Sequence, residues 1–161
     1  IEPLVTVETT KYRQPWMDWM GSQSMRALLE HCVGGRETSF PVGSQVIREG
    51  ETSGRLYVLM DGQLEVVKDG TVVANVEEPG AIVGEMSVLL GQPHTATVRA
   101  ASTARVYEFE DAARFLASQP AVAMLVAKTL AQRLYASTSY LADIKRQYAN
   151  LRALFLRSRE K

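Results

Sequence analysis

The central part of the chain alternates short apolar runs with turn residues, as β proteins do. Between residues 38 and 109, apolar runs such as 56–60 and 64–67 are separated by glycine-containing turns. Asp69 and Gly70 stand between two β-branched runs and predict a tight hairpin, because both residues of such a turn must tolerate positive φ. Many short strands at this spacing favour a sandwich or roll over alternating β/α units.

Helical signals flank this β region. Residues 16–33 place apolar side chains at helical spacing until a Gly-Gly pair stops the helix, and a second short helix is predicted over 111–118. The predicted organisation has three parts: a tail or linker at 1–15, an N-terminal helix with the β-roll at 16–119, and a long C-terminal helix at 120–161.

The long C-terminal helix has a narrow apolar seam. No glycine or proline follows Pro120, which suits the first turn of a helix. Apolar residues step by alternating intervals of four and three, with one polar interruption. A seam this narrow favours a second helix as its partner over packing on the same domain, so we predict a coiled-coil homodimer. The seam consists of Leu130, Leu134, Ser137, Leu141, Ile144, Tyr148, Leu151 and Phe155.

The charge balance gives no reason to expect a nucleic acid or a membrane as partner of this segment. Eighteen basic and eighteen acidic residues leave a formal net charge of zero. No apolar stretch approaches the roughly 18 residues that span a bilayer. Cys32 is the single cysteine and cannot form an internal disulfide, which fits a reducing compartment. We therefore expect a cytoplasmic location.

Catalytic and metal-binding patterns are missing from the sequence. The chain has only two histidines, no spaced Cys/His cluster and no pair of carboxylates with a common site. We predict that the chain is not an enzyme and holds no metal and no cofactor.

The stretch from residue 79 to residue 100 carries the candidate chemistry. A strand is predicted to end at Gly84, one or two helical turns to cover 85–90, and a strand to restart over 95–100. A short helix entered through glycine has free backbone N–H groups in its first turn, and these favour an anion. The ionised Glu85 only accepts hydrogen bonds and suits a sugar hydroxyl. One loop can therefore bind a phosphate and a neighbouring hydroxyl.

This stretch resembles the phosphate-binding cassette of the cyclic-nucleotide-binding domain family. The chain reads Val-Gly-Glu-Met-Ser-Val-Leu-Leu from residue 83 and Pro-His-Thr-Ala-Thr-Val-Arg-Ala from residue 93. The family pattern is Phe-Gly-Glu-(Leu/Met)-(Ser/Ala)-Leu-Leu, a short spacer, then Pro-Arg-(Ser/Thr)-Ala-Thr-Val-x-Ala. The similarity extends from about residue 40 to about residue 140, and the long helix resembles the dimerising helix of bacterial cAMP receptor proteins. The resemblance implies a jelly-roll double-stranded β-helix (β-roll), mainly β with flanking helices.

The resemblance also implies roles for individual residues. Glu85 would accept a hydrogen bond from the ribose 2′-OH, and Thr95 would contact the phosphate or the base edge. Ser137 and Thr138 would place hydroxyls against the purine, which would account for the polar break in the seam. The backbone close to the phosphate and ribose would come from Gly84, Met86 and Ala96.

One residue departs from the family pattern, because His94 stands where the phosphate-binding arginine is expected. Arginine carries a permanent charge and a planar fork, whereas histidine is shorter and only partly protonated at neutral pH. Loss of a buried charge pair typically costs about 2–5 kcal/mol. Three outcomes follow: weaker and pH-dependent nucleotide binding through His94, compensation by another cation, or a fold with another ligand or none. The first is favoured, since the rest of the cassette is intact.

The sequence thus predicts a bacterial signal-transduction module: a regulatory sensor domain that binds a cyclic nucleotide, cAMP before cGMP, and signals through its C-terminal helix. The alternative is a domain of the same fold that has lost nucleotide binding and acts as a dimerisation or interaction module. The output to which such a sensor would be coupled is not visible in the sequence.

Overall fold

The computed structural model describes residues 26–158 of the chain. The predicted tail and the first part of the predicted N-terminal helix lie outside these residues. The elements along the described chain are helix α1 (26–30), strands β1 (Arg36–Phe40), β2 (Gln45–Ile47), β3 (Leu56–Asp61), β4 (Leu64–Lys68), β5 (Thr71–Val76) and β6 (Ile82–Val83), helix α2 (Glu85–Leu90), strands β7 (Thr97–Ala100) and β8 (Ala104–Phe109), and helices α3 (Ala112–Ser118) and α4 (Pro120–Ser158).

The strands form two four-stranded sheets in which every pairing is antiparallel. One sheet has the order β1-β8-β3-β6 and the other has the order β2-β7-β4-β5. Strands distant in sequence lie side by side, as in a roll. The mainly β fold with a long C-terminal helix that the sequence predicts is confirmed.

Strand β3 supplies side chains to two separate cores. Successive side chains of a strand point to opposite faces, so Tyr57 and Leu59 enter the core between the sheets while Leu56 and Val58 face the helices. The core under the helices includes, besides these, Ile82, Phe109, Phe115, Leu116, Val122 and Val126. The core between the sheets and the core under the helices therefore lie on opposite faces of β3.

The tight turn between β4 and β5 forms where the sequence predicts it. Lys68 pairs with Thr71 across the turn, and both central residues have positive φ, 49° at Asp69 and 76° at Gly70. These values are those of the turns that join twisted antiparallel strands with two residues.

Helix α4 has a packed base and an exposed distal part. Its 39 residues correspond to a length of about 58 Å. Val122 and Val126 are buried in the core under the helices, and Leu130 packs against this core. Beyond Arg133 the large apolar side chains that are largely exposed include Leu134, Tyr135, Leu141, Ile144, Tyr148, Leu151, Leu154 and Leu156. The helix therefore leaves its own domain near Arg133.

We expect Gly62→Ala to destabilise the fold far more than Gly70→Ala. Both glycines have positive φ, which costs a residue with a Cβ about 1–2 kcal/mol. A Cβ at Gly62 would also lie 2.3 Å from the carbonyl oxygen of Thr103, whereas a Cβ at Gly70 would meet nothing within 4 Å. Urea unfolding should show a loss of at least about 3 kcal/mol for the first variant and about 1 kcal/mol for the second. Equal losses would contradict the close approach at Gly62.

Candidate functional site

The loop from β6 into α2 depends on the backbone of Gly84. This residue adopts φ 91° and ψ −8° at the start of the helix. A Cβ here would lie 2.8 Å from the carbonyl oxygen of Arg55, so both conformation and space require glycine. The N–H groups of the first turn, from Glu85 onward, have no partner within the helix, as at any helix start. The chain thus turns sharply where the sequence places the anion site.

Helix α2 covers residues Glu85–Leu90, as predicted, and is closed at its far end. Gly91 takes a left-handed conformation and donates its N–H to the carbonyl of Ser87. The hydroxyl of Ser87 donates to the carbonyl of Gln92 at 2.5 Å. The helix is therefore held between two left-handed glycines.

The carboxylate of Glu85 is buried and bound to the long helix. Its side chain is 3% exposed, and its Oε1 accepts a hydrogen bond from Nη1 of Arg133 at 2.5 Å. The second arm of the same guanidinium donates to the carbonyl of Ile82 at 2.9 Å. Burial raises the pKa of Glu85 above its ordinary value, and the charge of Arg133 opposes that rise. Arg133 thus connects α4 to both β6 and the cassette.

The side chain of His94 is turned into the protein. Residue His94 is 6% exposed, and its Nε2 lies 2.9 Å from Oγ of Ser53. Its backbone N–H donates to the carbonyl of Glu51 and its carbonyl accepts from the N–H of Gly50, both at 2.9 Å. Burial lowers the pKa of the imidazole, against a smaller opposing effect of the Glu51 charge. The imidazole is therefore neutral at neutral pH.

These backbone bonds also explain where β7 begins. The predicted strand starts at residue 95, but the observed ladder starts at Thr97. Because His94 is bonded to the loop after β2, the two residues that follow it bend before the chain joins the sheet.

The other predicted site residues fall into two groups. Met86 and Thr95 are exposed and Ala96 is half-buried, all within the cassette. Ser137 and Thr138 are exposed on α4, about one turn beyond Arg133. Of the predicted site residues, the structure links Glu85 to α4, through Arg133.

Two residues of the site escaped the sequence analysis. Neither Arg133 nor Ser53 is among the residues that the sequence predicts for the site. The sequence feature that could have identified Arg133 is its position: it is a charged residue between the seam leucines Leu130 and Leu134, close to the polar break. Ser53 lies 41 residues from its partner and gives no comparable signal.

In the part of the chain that the structure describes, no group of three or more His, Cys, Asp or Glu residues could hold a metal ion. Over the same residues, no helix combines the length and the hydropathy that crossing a membrane requires.

The chain is similar in sequence to several known proteins. The curated relatives include a cyclic nucleotide-gated potassium channel of Mesorhizobium japonicum, 31% identical over 106 residues that make up 65% of this chain and 29% of the channel. Another is a CRP-like cAMP-activated global transcriptional regulator of Mycobacterium tuberculosis, 29% identical over 111 residues that cover 65% of this chain and 50% of the regulator. The chain thus spans half or less of the length of these relatives.

Solved structures and a family model extend the comparison. The catabolite activator protein of Thermus thermophilus has the same fold, with a TM-score of 0.61 at 20% identity, over 82% of this chain and 63% of that one. A cyclic nucleotide-binding domain from Methylobacillus flagellatus superposes with a TM-score of 0.51 at 22% identity, over 76% of this chain and 81% of that one. The model of the cyclic nucleotide-binding domain matches residues 37–118, just over half of the 161. The chain belongs to the cyclic nucleotide-binding domain family.

Proposed function

We propose that this regulatory domain binds cAMP in preference to cGMP and transmits the occupancy of its site through α4. The observation that carries the proposal is the bond between Arg133 of α4 and the buried carboxylate of Glu85 in the cassette. The cAMP preference has support from the relative in M. tuberculosis, which is named a cAMP-activated regulator. The cytoplasmic location stays a prediction from the sequence.

The proposed ligand contacts follow the cassette. The backbone at Gly84, Met86 and Ala96 would surround the cyclic phosphate, and His94 and Thr95 would lie beside it. Glu85 would accept a hydrogen bond from the ribose 2′-OH. Ser137 and Thr138 would contact the purine from α4.

Ligand binding at Glu85 must change the environment of Arg133. A ribose hydroxyl that donates to this carboxylate shares an acceptor that Arg133 already uses. A ligand shifts a conformational equilibrium only by its different affinities for the two states. Because Arg133 lies at the point where α4 leaves the domain, a new position of its guanidinium favours a new placement of the distal helix.

The pH dependence of binding is expected to follow His94. The imidazole is neutral at neutral pH, since burial lowers its pKa. A cyclic phosphate favours the protonated imidazole, so ligand binding takes up a proton and becomes tighter as pH falls.

We expect cAMP to bind more tightly at pH 6 than at pH 8 in calorimetric titrations of the chain, with cGMP weaker at both. His94→Arg should tighten binding about tenfold or more and flatten the pH response, because the guanidinium is charged at both values. His31→Arg, at the other histidine, is the matched control and should leave the affinity unchanged. No binding of either nucleotide at millimolar concentration would end the cyclic-nucleotide proposal.

Replacement of Arg133 by Met should uncouple α4 from the cassette. The variant leaves the buried Glu85 without its cation, which should raise the pKa of that carboxyl further and lower the free energy of unfolding by about 1–3 kcal/mol. Hydrogen exchange should show cAMP-dependent protection changes along α4 in the wild type and much smaller ones in the variant. Arg152→Met, exposed on the same helix, serves as control. If cAMP binds to the wild type without altering hydrogen exchange in α4, the proposal that the domain signals through this helix is wrong.

The distal part of α4 is proposed to form a homodimer. Its seam residues Leu134, Leu141 and Tyr148 are 68%, 52% and 70% exposed, and they recur at coiled-coil spacing. Apolar side chains in such a stripe gain about 25 cal/mol per Å² when a second helix covers them. A second copy of the same helix presents the same stripe and closes the assembly after two subunits.

Leu141→Asp should convert the dimer to a monomer in sedimentation velocity at micromolar concentration, because it places two carboxylates opposite each other in the seam. Asn150→Asp adds a carboxylate to the exposed side of the same helix, away from the predicted seam, and should leave the dimer intact. A dimer that persists in Leu141→Asp would show that the seam is not the interface.

One observation favours the alternative of an interaction module without a nucleotide. Glu85 and His94 both have protein partners, Arg133 and Ser53. A ligand must therefore share or replace these contacts. Failure of both nucleotides to bind, combined with an intact dimer, would select this alternative.

A further inference from the structure

We propose that Lys68 supplies the permanent positive charge that the cassette lacks at His94, and that its ammonium group contacts the cyclic phosphate while keeping Glu49. The inference rests on the proposed nucleotide binding and adds to it a ligand residue from a strand outside the cassette.

The position of Lys68 follows from the alternation of side chains along β4 and β7. Leu64 pairs with Ala100 and Val66 with Val98, and these four side chains belong to or pack against the core between the sheets. The register of β4 and β7 has no irregularity between these pairs. The ladder ends with the pair Val67–Thr97, so Lys68, two residues after Val66, lies on the inner face at the end of β4, next to the point where the chain enters β7.

The contacts of Lys68 place its ammonium group across β7. The sheet order is β2-β7-β4, so β7 separates Lys68 from the chain that follows β2. Nζ of Lys68 nevertheless pairs with Oε1 of Glu49, and the backbone N–H of Glu49 donates to Oγ1 of Thr97 at 3.1 Å. The lysine side chain therefore crosses β7 at the level of Ala96 and Thr97, where the cassette rejoins the sheet.

The arginines near this end of β7 form ion pairs that point away from the inner face or involve other carboxylates. Arg99 alternates to the outer face, where it pairs with Glu65. Arg55 pairs with Glu108, and Arg48 with Glu51. Lys68 is the cation at the end of the β4–β7 ladder on the inner face.

The chemistry of an ammonium group suits this position. It has three N–H donors and no acceptor, so it can bond to Glu49 and to a phosphate oxygen at the same time. Its charge is permanent at neutral pH, unlike that of the buried imidazole, and the side chain of Lys68 is 44% exposed. Glu49 would hold the lysine in place before the ligand binds, at the cost of some repulsion with the phosphate.

Calorimetric titration of the chain with cAMP at pH 8 tests the inference, because His94 then contributes no charge. Lys68→Met should weaken binding about 10- to 100-fold, the effect of a lost charge-assisted hydrogen bond. Lys68→Arg should retain most of the affinity. Glu49→Gln should tighten binding a few-fold, because the lysine then faces the phosphate alone. Arg99→Met removes an ion-paired cation from the outer face of the same strands and should leave the affinity within about twofold.

Two further measurements separate a ligand contact from a structural role. Adenosine, which has no phosphate, should bind Lys68→Met and wild type alike, and the salt dependence of cAMP binding should be smaller in Lys68→Met. If Lys68→Met binds cAMP as tightly as wild type, or loses adenosine in the same proportion, the inference is wrong while nucleotide binding stands. If the wild type binds no cAMP at millimolar concentration, the proposed function is wrong, and the inference about Lys68, which depends on it, is wrong as well.

Discussion

The buried carboxylate of Glu85 is the constraint around which this domain is organised. A carboxylate removed from water needs a partner, and the partner here is Arg133 of the long helix. The same guanidinium also binds the carbonyl of Ile82, so one side chain joins β6, α2 and α4. The buried carboxylate therefore attaches α4 to the cassette at Arg133.

That attachment divides α4 into two parts with different partners. Up to Leu130 the helix packs against the core that β3 shares with α3, and its position is fixed by burial. Beyond Arg133 large apolar side chains such as Leu134, Leu141 and Tyr148 are exposed. A change at the carboxylate therefore acts at the boundary between a segment fixed by burial and a segment whose apolar side chains are exposed. In the proposed function, this boundary is where a local contact changes the placement of the distal helix.

The electrostatics of the cassette differ from those of a site built around an arginine. His94 lies against Ser53 and is neutral at neutral pH, since burial lowers its pKa. Lys68 lies on another strand, at the end of the ladder with β7, and is paired with Glu49. If Lys68 contacts the phosphate as proposed, the backbone donors and the permanent charge of the site come from separate parts of the roll.

The sequence by itself determined those features that depend on neighbouring residues. The turn at Asp69, the extent of α2 and the start of α4 at Pro120 follow from local backbone preferences, and the cassette motif identified Glu85. Tertiary structure alone decided which side chains meet across the chain: Arg133 reaches Glu85 over 48 residues, and Ser53 reaches His94 over 41. The physical reason is that local sequence patterns determine backbone dihedral angles and the face of a helix or strand on which each side chain lies. The partner of a buried charge depends instead on how the strands and helices pack.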